Sequence, residues 1–198
     1  MEVGVETAIR ELLEPKLFVS RPEAISRTSP VPKAPGVYAW YFNEPPPGVP
    51  TGGAHRLDGW FLLYAGISPR KPRSVDGRAS SGTIRKRIRD HYKRDSSSST
   101  LRMSLGSLLQ RELRLVPQAR GKSTRLTFGA GEDRLSEWMA AHTKVSWAEH
   151  AKPWIVEETL ISSVPLSLNL AQNPTGEFYA QLKAARAAVR NRYTEASV

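Results

Sequence analysis

Gly36-Val37-Tyr38-Ala39-Trp40-Tyr41-Phe42 and Trp60-Phe61-Leu62-Leu63-Tyr64-Ala65-Gly66 are the two stretches from which the fold can be read. Both are aromatic, β-branched and almost continuously apolar, which is the pattern of strands. Between them, residues 43–59 carry Pro45, Pro46, Pro47, Pro50, Gly52 and Gly53 and read as a loop. Upstream, residues 4–15 place Val5, Ile9, Leu12 and Leu13 on one helical face, and the proline-rich segment 30–35 then breaks the chain. Downstream, residues 67–82 form a polar loop. A helix over 83–94 follows, with Thr83 as its N-cap. Ser96–Ser99 reads as a flexible turn. Helical patterns recur over 100–114, 133–142, 153–163 and 176–192, and weaker strand patterns near 124–128 and 144–148. Strands interspersed with separate helices, without an internal repeat, predict an α/β (α+β) fold with a small sheet, organised as one domain over 1–198.

The charge is unusual. Lysine and arginine total 29 against 19 acids, for a net charge of +10. Between Arg70 and Arg125 there are sixteen basic residues and only four acids, Asp76, Asp90, Asp95 and Glu112. Such a cluster suits a polyanion, because each neutralised phosphate releases counterions; a solubilising surface has the same composition. The chain has no cysteine, which excludes disulfides, thiol nucleophiles and cysteine-ligated zinc. It has no run of about 18 apolar residues and no secretory signal pattern, so the expectation is a cytoplasmic protein that does not span a membrane.

Two helices break the amphipathic rule. On 83–94, Ile84, Ile88 and Tyr92 form the apolar stripe, and Arg87 and His91, four apart, sit together beside it. They can look into a cleft, or be a snorkelling arginine and a histidine satisfied by backbone. On 153–163, Pro153 suits the first helical position, and Val156, Leu160, Ile161 and Val164 mark the apolar face. Glu157 falls in the middle of that face. Burying a carboxylate costs several kcal/mol unless it is paired or binds a metal, so it is either a metal ligand or half of an ion pair.

Gly36-Val37-Tyr38 and Tyr64-Ala65-Gly66 resemble the paired signature of the GIY-YIG nuclease superfamily, with valine and alanine at the middle positions. The rest of the constellation makes the likeness specific. Arg87 and His91 fit the arginine and following histidine or tyrosine on the next helix. Glu157 with Leu160-Ile161 fits the Glu-x-x-Leu-Ile of a later helix, and Asn169 after Pro165 fits the asparagine beyond it. The resemblance covers 36–169, with enlarged connections, and implies a small mixed or antiparallel three-stranded sheet flanked by helices, with helical insertions. Helices 4–15 and 176–192 are extensions. One position departs: many members carry a lysine directly after the second signature, and here it is Ile67. A compensating cation would come from Lys71, Arg70 or elsewhere.

The resemblance implies a metal-dependent endonuclease that hydrolyses phosphodiester bonds in DNA. Its site residues would be Tyr38, Tyr64, Arg87, His91, Glu157 and Asn169. Glu157 is the expected ligand of one Mg²⁺ (or Mn²⁺), since a single carboxylate with waters and substrate oxygens suits that ion. Arg87 would fork onto the scissile phosphate. Tyr64 is the candidate general base with His91 as its partner; the alternative makes His91 the base and leaves Tyr64 positioning the water. Tyr38 would hydrogen-bond within the site, and Asn169 would fix the site or the substrate. Phosphate contacts are expected from Arg70, Lys71, Arg73, Arg78, Arg85 and Arg102. The basic residues of helix 176–192 read as a solvated face slightly better than as phosphate contacts, and Trp138, Met139 and Trp147 read as core. No DNA-recognition appendage is evident, so specificity has to come from insertions, a partner or a homodimer. A binding module with a decayed site and an RNA-directed nuclease are the alternatives.

Overall fold

The computed structural model describes residues 3–72, 81–170, 173–174 and 176–195. In chain order the elements are α1 (Val3–Leu13), β1 (Val19–Ser20), α2 (Arg21–Ile25), β2 (Gly36–Phe42), β3 (Arg56–Leu57), β4 (Trp60–Ser68), α3 (Ile84–Lys93), a 3₁₀ turn (Ser96–Ser98) and α4 (Thr100–Leu108). There follow β5 (Gln118–Ala119), β6 (Leu126–Thr127), α5 (Gly131–His142), β7 (Thr143–Glu149), α6 (Pro153–Ser163) and α7 (Tyr179–Glu195). The sheet is antiparallel, with strand order β1-β7-β2-β4-β3.

Every residue of β2 is buried, because helices cover both faces of the sheet. This explains why the run is apolar throughout instead of alternating with polar residues: neither face meets water. Tyr38, Trp40 and Phe42 point to one side, into a core with Tyr64, Ile84, Ile88, Tyr92, Leu101 and Leu105. Val37, Ala39 and Tyr41 point to the other, against Val5, Leu12, Val156 and Leu160 of α1 and α6. The register sets Tyr38 opposite Gly66 and Trp40 opposite Tyr64. The two signature tyrosines therefore emerge on the same face.

The sheet has five strands where three were expected. The additions are two-residue edge strands, β1 on β7 and β3 on β4. The β3–β4 turn is Asp58-Gly59, with φ of 48° and 85°. Positive φ at both central residues matches the twist of a tight hairpin. The predicted strand near 124–128 is instead β6 of a separate two-stranded ribbon with β5. Trp138 and Met139 are buried in the larger core, and Trp147 packs half-buried against it.

Candidate active site

Helix α3 carries Arg87 and His91 across the face from which Tyr38 and Tyr64 emerge. Its start is fixed by Thr83, whose side chain accepts a hydrogen bond from the Lys86 amide. Ile84, Ile88 and Tyr92 are fully buried against the sheet. His91 is also fully buried, beyond the rim position expected for it. One ring nitrogen, Nε2, lies 2.9 Å from the Tyr38 hydroxyl; the other, Nδ1, lies 2.6 Å from Ser99 Oγ. Burial holds the imidazole well below its ordinary pKa, with Arg87 and Arg102 acting in the same direction. His91 is therefore neutral at physiological pH, with one N–H to give and one lone pair to receive.

The partner of His91 is thus Tyr38, where the sequence suggested Tyr64. The Tyr64 hydroxyl instead lies 3.2 Å from Thr100 Oγ1. Burial raises the pKa of both phenols. The Arg87 charge opposes that rise in each, and the Glu157 carboxylate adds to it. Those effects put Arg87 and Glu157 within electrostatic reach of both hydroxyls. The Arg87 guanidinium is anchored by donating to the Ser98 carbonyl at 3.1 Å. Glu157 is half-buried and Glu158 exposed, so the carboxylate stands at the margin of the apolar face rather than in its middle. Helix α6 buries Pro153, Val156 and Leu160 instead.

Gly66 explains the second signature. A methyl group there would come within 2.5 Å of the Tyr38 hydroxyl and 2.7 Å of its Cζ. Only a residue without a side chain lets Tyr38 lie across the neighbouring strand and reach His91. Gly36 is likewise closed in by the Ala148 carbonyl of β7.

Asn169 does not face the phenols. Its Oδ1 accepts from the Ala65 amide at 2.9 Å, and its Nδ2 donates to the Ala65 carbonyl at 2.9 Å. Beside it, the Leu168 amide donates to the Leu63 carbonyl. The segment thus substitutes for a strand along the edge of β4 and fixes the backbone on either side of Tyr64.

Ile67 packs into the α1–α6 core, on the face opposite Tyr64. Arg70 is the nearby cation whose charge reaches the Tyr64 phenol. Lys71 forms an exposed ion pair with Glu158 at 2.9 Å.

Two expected phosphate contacts are corrected. Arg102 is fully buried, and its guanidinium binds the Glu132 carboxylate at 2.7 Å and the carbonyls of His91 and Glu132. Arg85 gives its donors to the carbonyls of Val31 and Ser29. In both, the fork that would grip a phosphate is occupied by protein oxygens. Arg73 and Arg78 lie outside the described residues.

The sequence predicts a flexible turn at Ser96–Ser99 and the start of a helix at Thr100, with no role in the site for either. Ser98, Ser99 and Thr100 supply the contacts to Arg87, His91 and Tyr64. The available signal was local: Ser99 precedes α4 and caps it, accepting from the Arg102 amide.

Among the described residues there is no group of three or more His, Asp or Glu side chains able to hold a metal ion. An ion that keeps most of its waters fits one carboxylate, Glu157. Among the described residues, no helix is long and apolar enough to cross a membrane.

The GIY-YIG catalytic domain model matches residues 36–188, most of the sequence, so the chain belongs to that nuclease family. Neither a curated protein nor a solved structure matches it. Membership makes a nucleic acid the substrate and a nuclease the class of enzyme.

Proposed function

We propose that the protein is a divalent-metal-dependent endonuclease that hydrolyses phosphodiester bonds in DNA. The observation that supports this best is the Tyr38–His91 hydrogen bond, with the Arg87 guanidinium and the Glu157 carboxylate both in electrostatic reach of the phenol.

Tyr38 is the proton acceptor in this reading. A free phenol is a poor base near neutral pH, and burial makes it poorer. A relay avoids a free phenolate: Tyr38 takes a proton from the attacking water while passing its own to His91 Nε2. The His91 Nδ1–H donates to Ser99 Oγ and fixes the tautomer that leaves Nε2 free to accept. Arg87 stays charged at any working pH and binds the phosphoryl oxygens where negative charge grows. Tyr64, held by Thr100, lines the same face and positions the phosphate or the water. Glu157 would hold one Mg²⁺ or Mn²⁺, which when bound supplies charge relief on the phosphate and at the leaving oxygen. Asn169 acts through the backbone of Ala65 and is a positioning residue.

The test is cleavage of supercoiled plasmid and of labelled single- and double-stranded oligonucleotides, with Mg²⁺, Mn²⁺ or EDTA. Metal-dependent cutting is expected in the native protein and is lost in Glu157→Ala, Arg87→Ala and Tyr38→Phe. Full activity in Tyr38→Phe with loss in Tyr64→Phe would return the proton transfer to Tyr64. Cutting unaffected by Glu157→Ala would overturn the site.

A further inference from the structure

A cleft of about 590 Å³ opens directly behind the segment that holds the site. One wall is Ser96–Thr100, which also supplies the contacts to Arg87, His91 and Tyr64. The opposite wall is α7. Lys183, Arg186 and Arg190 line it, and their spacing of three and four residues puts them on one helical face. Arg125 and Arg70 add two more cations to the lining, and among the described residues no carboxylate lines it. Phe178, Leu182 and Val189 are buried in the core, and α7 packs on α4, so this basic face has a fixed orientation.

Like charges gathered in a cleft repel one another. Burial, and after it the Arg190 charge, lower the pKa of Arg186, while the Tyr64 phenol raises it. That last effect also places Arg186 within electrostatic reach of the active-site face. Such an arrangement is unfavourable when empty and favourable around a polyanion, whose released counterions drive binding.

We propose that this cleft carries the phosphodiester backbone of a substrate strand as it leaves the active site, with Lys183, Arg186 and Arg190 as positioning residues. The proposal rests on the nuclease reading and adds to it a path for the substrate. It also reverses the sequence-based preference for a merely solvated face on the last helix.

The test measures binding separately from cleavage. Affinity for labelled oligonucleotides, single-stranded and duplex, is measured in EDTA with the Glu157→Gln protein at increasing salt. The same is done after adding Lys183→Ala and Arg190→Ala, both exposed positions. An equal-charge control removes Arg10 and Lys16 on the other side of the sheet. Each lost phosphate contact lowers the salt slope by about 0.7 on a single strand and about 0.9 on duplex. The α7 pair should therefore flatten it by about 1.4 to 1.8, while the control leaves it unchanged. The arm in which the slope flattens identifies the strand type. In the active background, the same pair should raise KM on long substrates and leave kcat unchanged. An unchanged slope, or an equal effect of the control pair, overturns the cleft while leaving plasmid cleavage as separate support for the nuclease. Absence of any nucleic-acid binding by the parent protein overturns both.

Discussion

Gly66→Ala puts the central geometric claim at risk with a single methyl group. The added carbon would lie 2.5 Å from the Tyr38 hydroxyl oxygen, 2.7 Å from Cζ and 3.0 Å from Cε2. Nonbonded carbons rest at about 3.5–4.0 Å, so the ring must retreat by roughly 1 Å. Tyr38 is 1% exposed, and its ring centroid already lies 5.5 Å from that of His91. The movement therefore disturbs the 2.9 Å hydrogen bond to His91 rather than passing into solvent. In an open strand, glycine to alanine stabilises by about 0.5–1 kcal/mol; overpacking a closed site costs about 1–3 kcal/mol, so the sign of the change is diagnostic. Displacing a reacting group by about 1 Å slows catalysis by about 10²-fold. The assay pairs urea denaturation with cleavage rates in a double-mutant cycle with Tyr38→Phe. Removing the hydroxyl leaves the clash with Cζ, so the stability cost of Gly66→Ala should persist. The activity losses should not multiply, because both act on one proton transfer. A Gly66→Ala protein that is more stable and fully active would refute the reasoning, as would rate losses that multiply in the double mutant.

Asn169→Ala leaves the Ala65 amide and carbonyl without their 2.9 Å partners. Each unpaired buried group costs about 1–3 kcal/mol, so a loss of about 2 kcal/mol or more is expected in urea denaturation; less than about half a kcal/mol would show the clamp to be idle. Arg102→Met strands the Glu132 carboxylate, which also accepts from Ser96, Thr127 and Phe128. Breaking one side of a buried ion pair costs about 3–5 kcal/mol, and a neutral result by calorimetry would contradict the assigned pairing. Stability should also fall with acid. The folded-state pKa lies below the ordinary 6.5 for His91 and below the ordinary 4.5 for Glu132. The unfolded chain then binds more protons, so each contribution is complete above the ordinary value and is lost as pH falls below it, His91 first. Stability that rises between about pH 7 and about pH 5, or a profile that His91→Asn leaves unaltered, would contradict the neutral, buried imidazole.

What could be read from the sequence was whatever local pattern determines. Residues 36–42 became β2 because a continuous aromatic and β-branched run bounded by turn residues is a self-sufficient strand signal, and 153–163 became α6 because Pro153 opens a stretch with apolar residues at helical spacing. Thr83 caps α3 for the same reason. The β3–β4 hairpin went unread although Asp58-Gly59 is a turn signal, because β3 is too short to show a periodicity of its own. Arg102 was misread because its partner, Glu132, is thirty residues away and nothing local distinguishes a paired arginine from one awaiting phosphate. The pairing of His91 with Tyr38 rather than Tyr64 depends on strand register and on which phenol Thr100 engages, both long-range facts.

The same long-range facts bear on what the enlarged connection between α3 and β7 is for. Size alone would make it an appendage to a minimal nuclease. Its contacts argue otherwise. Ser98, Ser99 and Thr100 anchor Arg87, His91 and Tyr64, so three site side chains are oriented from within it. The turn that leads into them is itself held, at Ser96, by one carboxylate. Glu132 accepts the Ser96 amide and hydroxyl, the Thr127 hydroxyl, the Phe128 amide and the Arg102 guanidinium, tying the 3₁₀ turn, β6, α4 and α5 together. Arg102 closes the circuit by donating to the His91 carbonyl and, through its amide, to Ser99 Oγ. A change at Glu132 should therefore reach the active site through Ser99 without touching substrate. Glu132→Gln keeps one acceptor oxygen but turns an amide NH2 toward a donor and leaves the buried Arg102 without its counter-charge, so stability should fall and the His91–Ser99 contact should loosen with it. Its signature is a fall in kcat with KM nearly unchanged, together with a shifted imidazole resonance for His91. If Glu132→Gln lowered stability but left both kcat and that resonance intact, the connection would be a brace for the fold and not part of the catalytic apparatus.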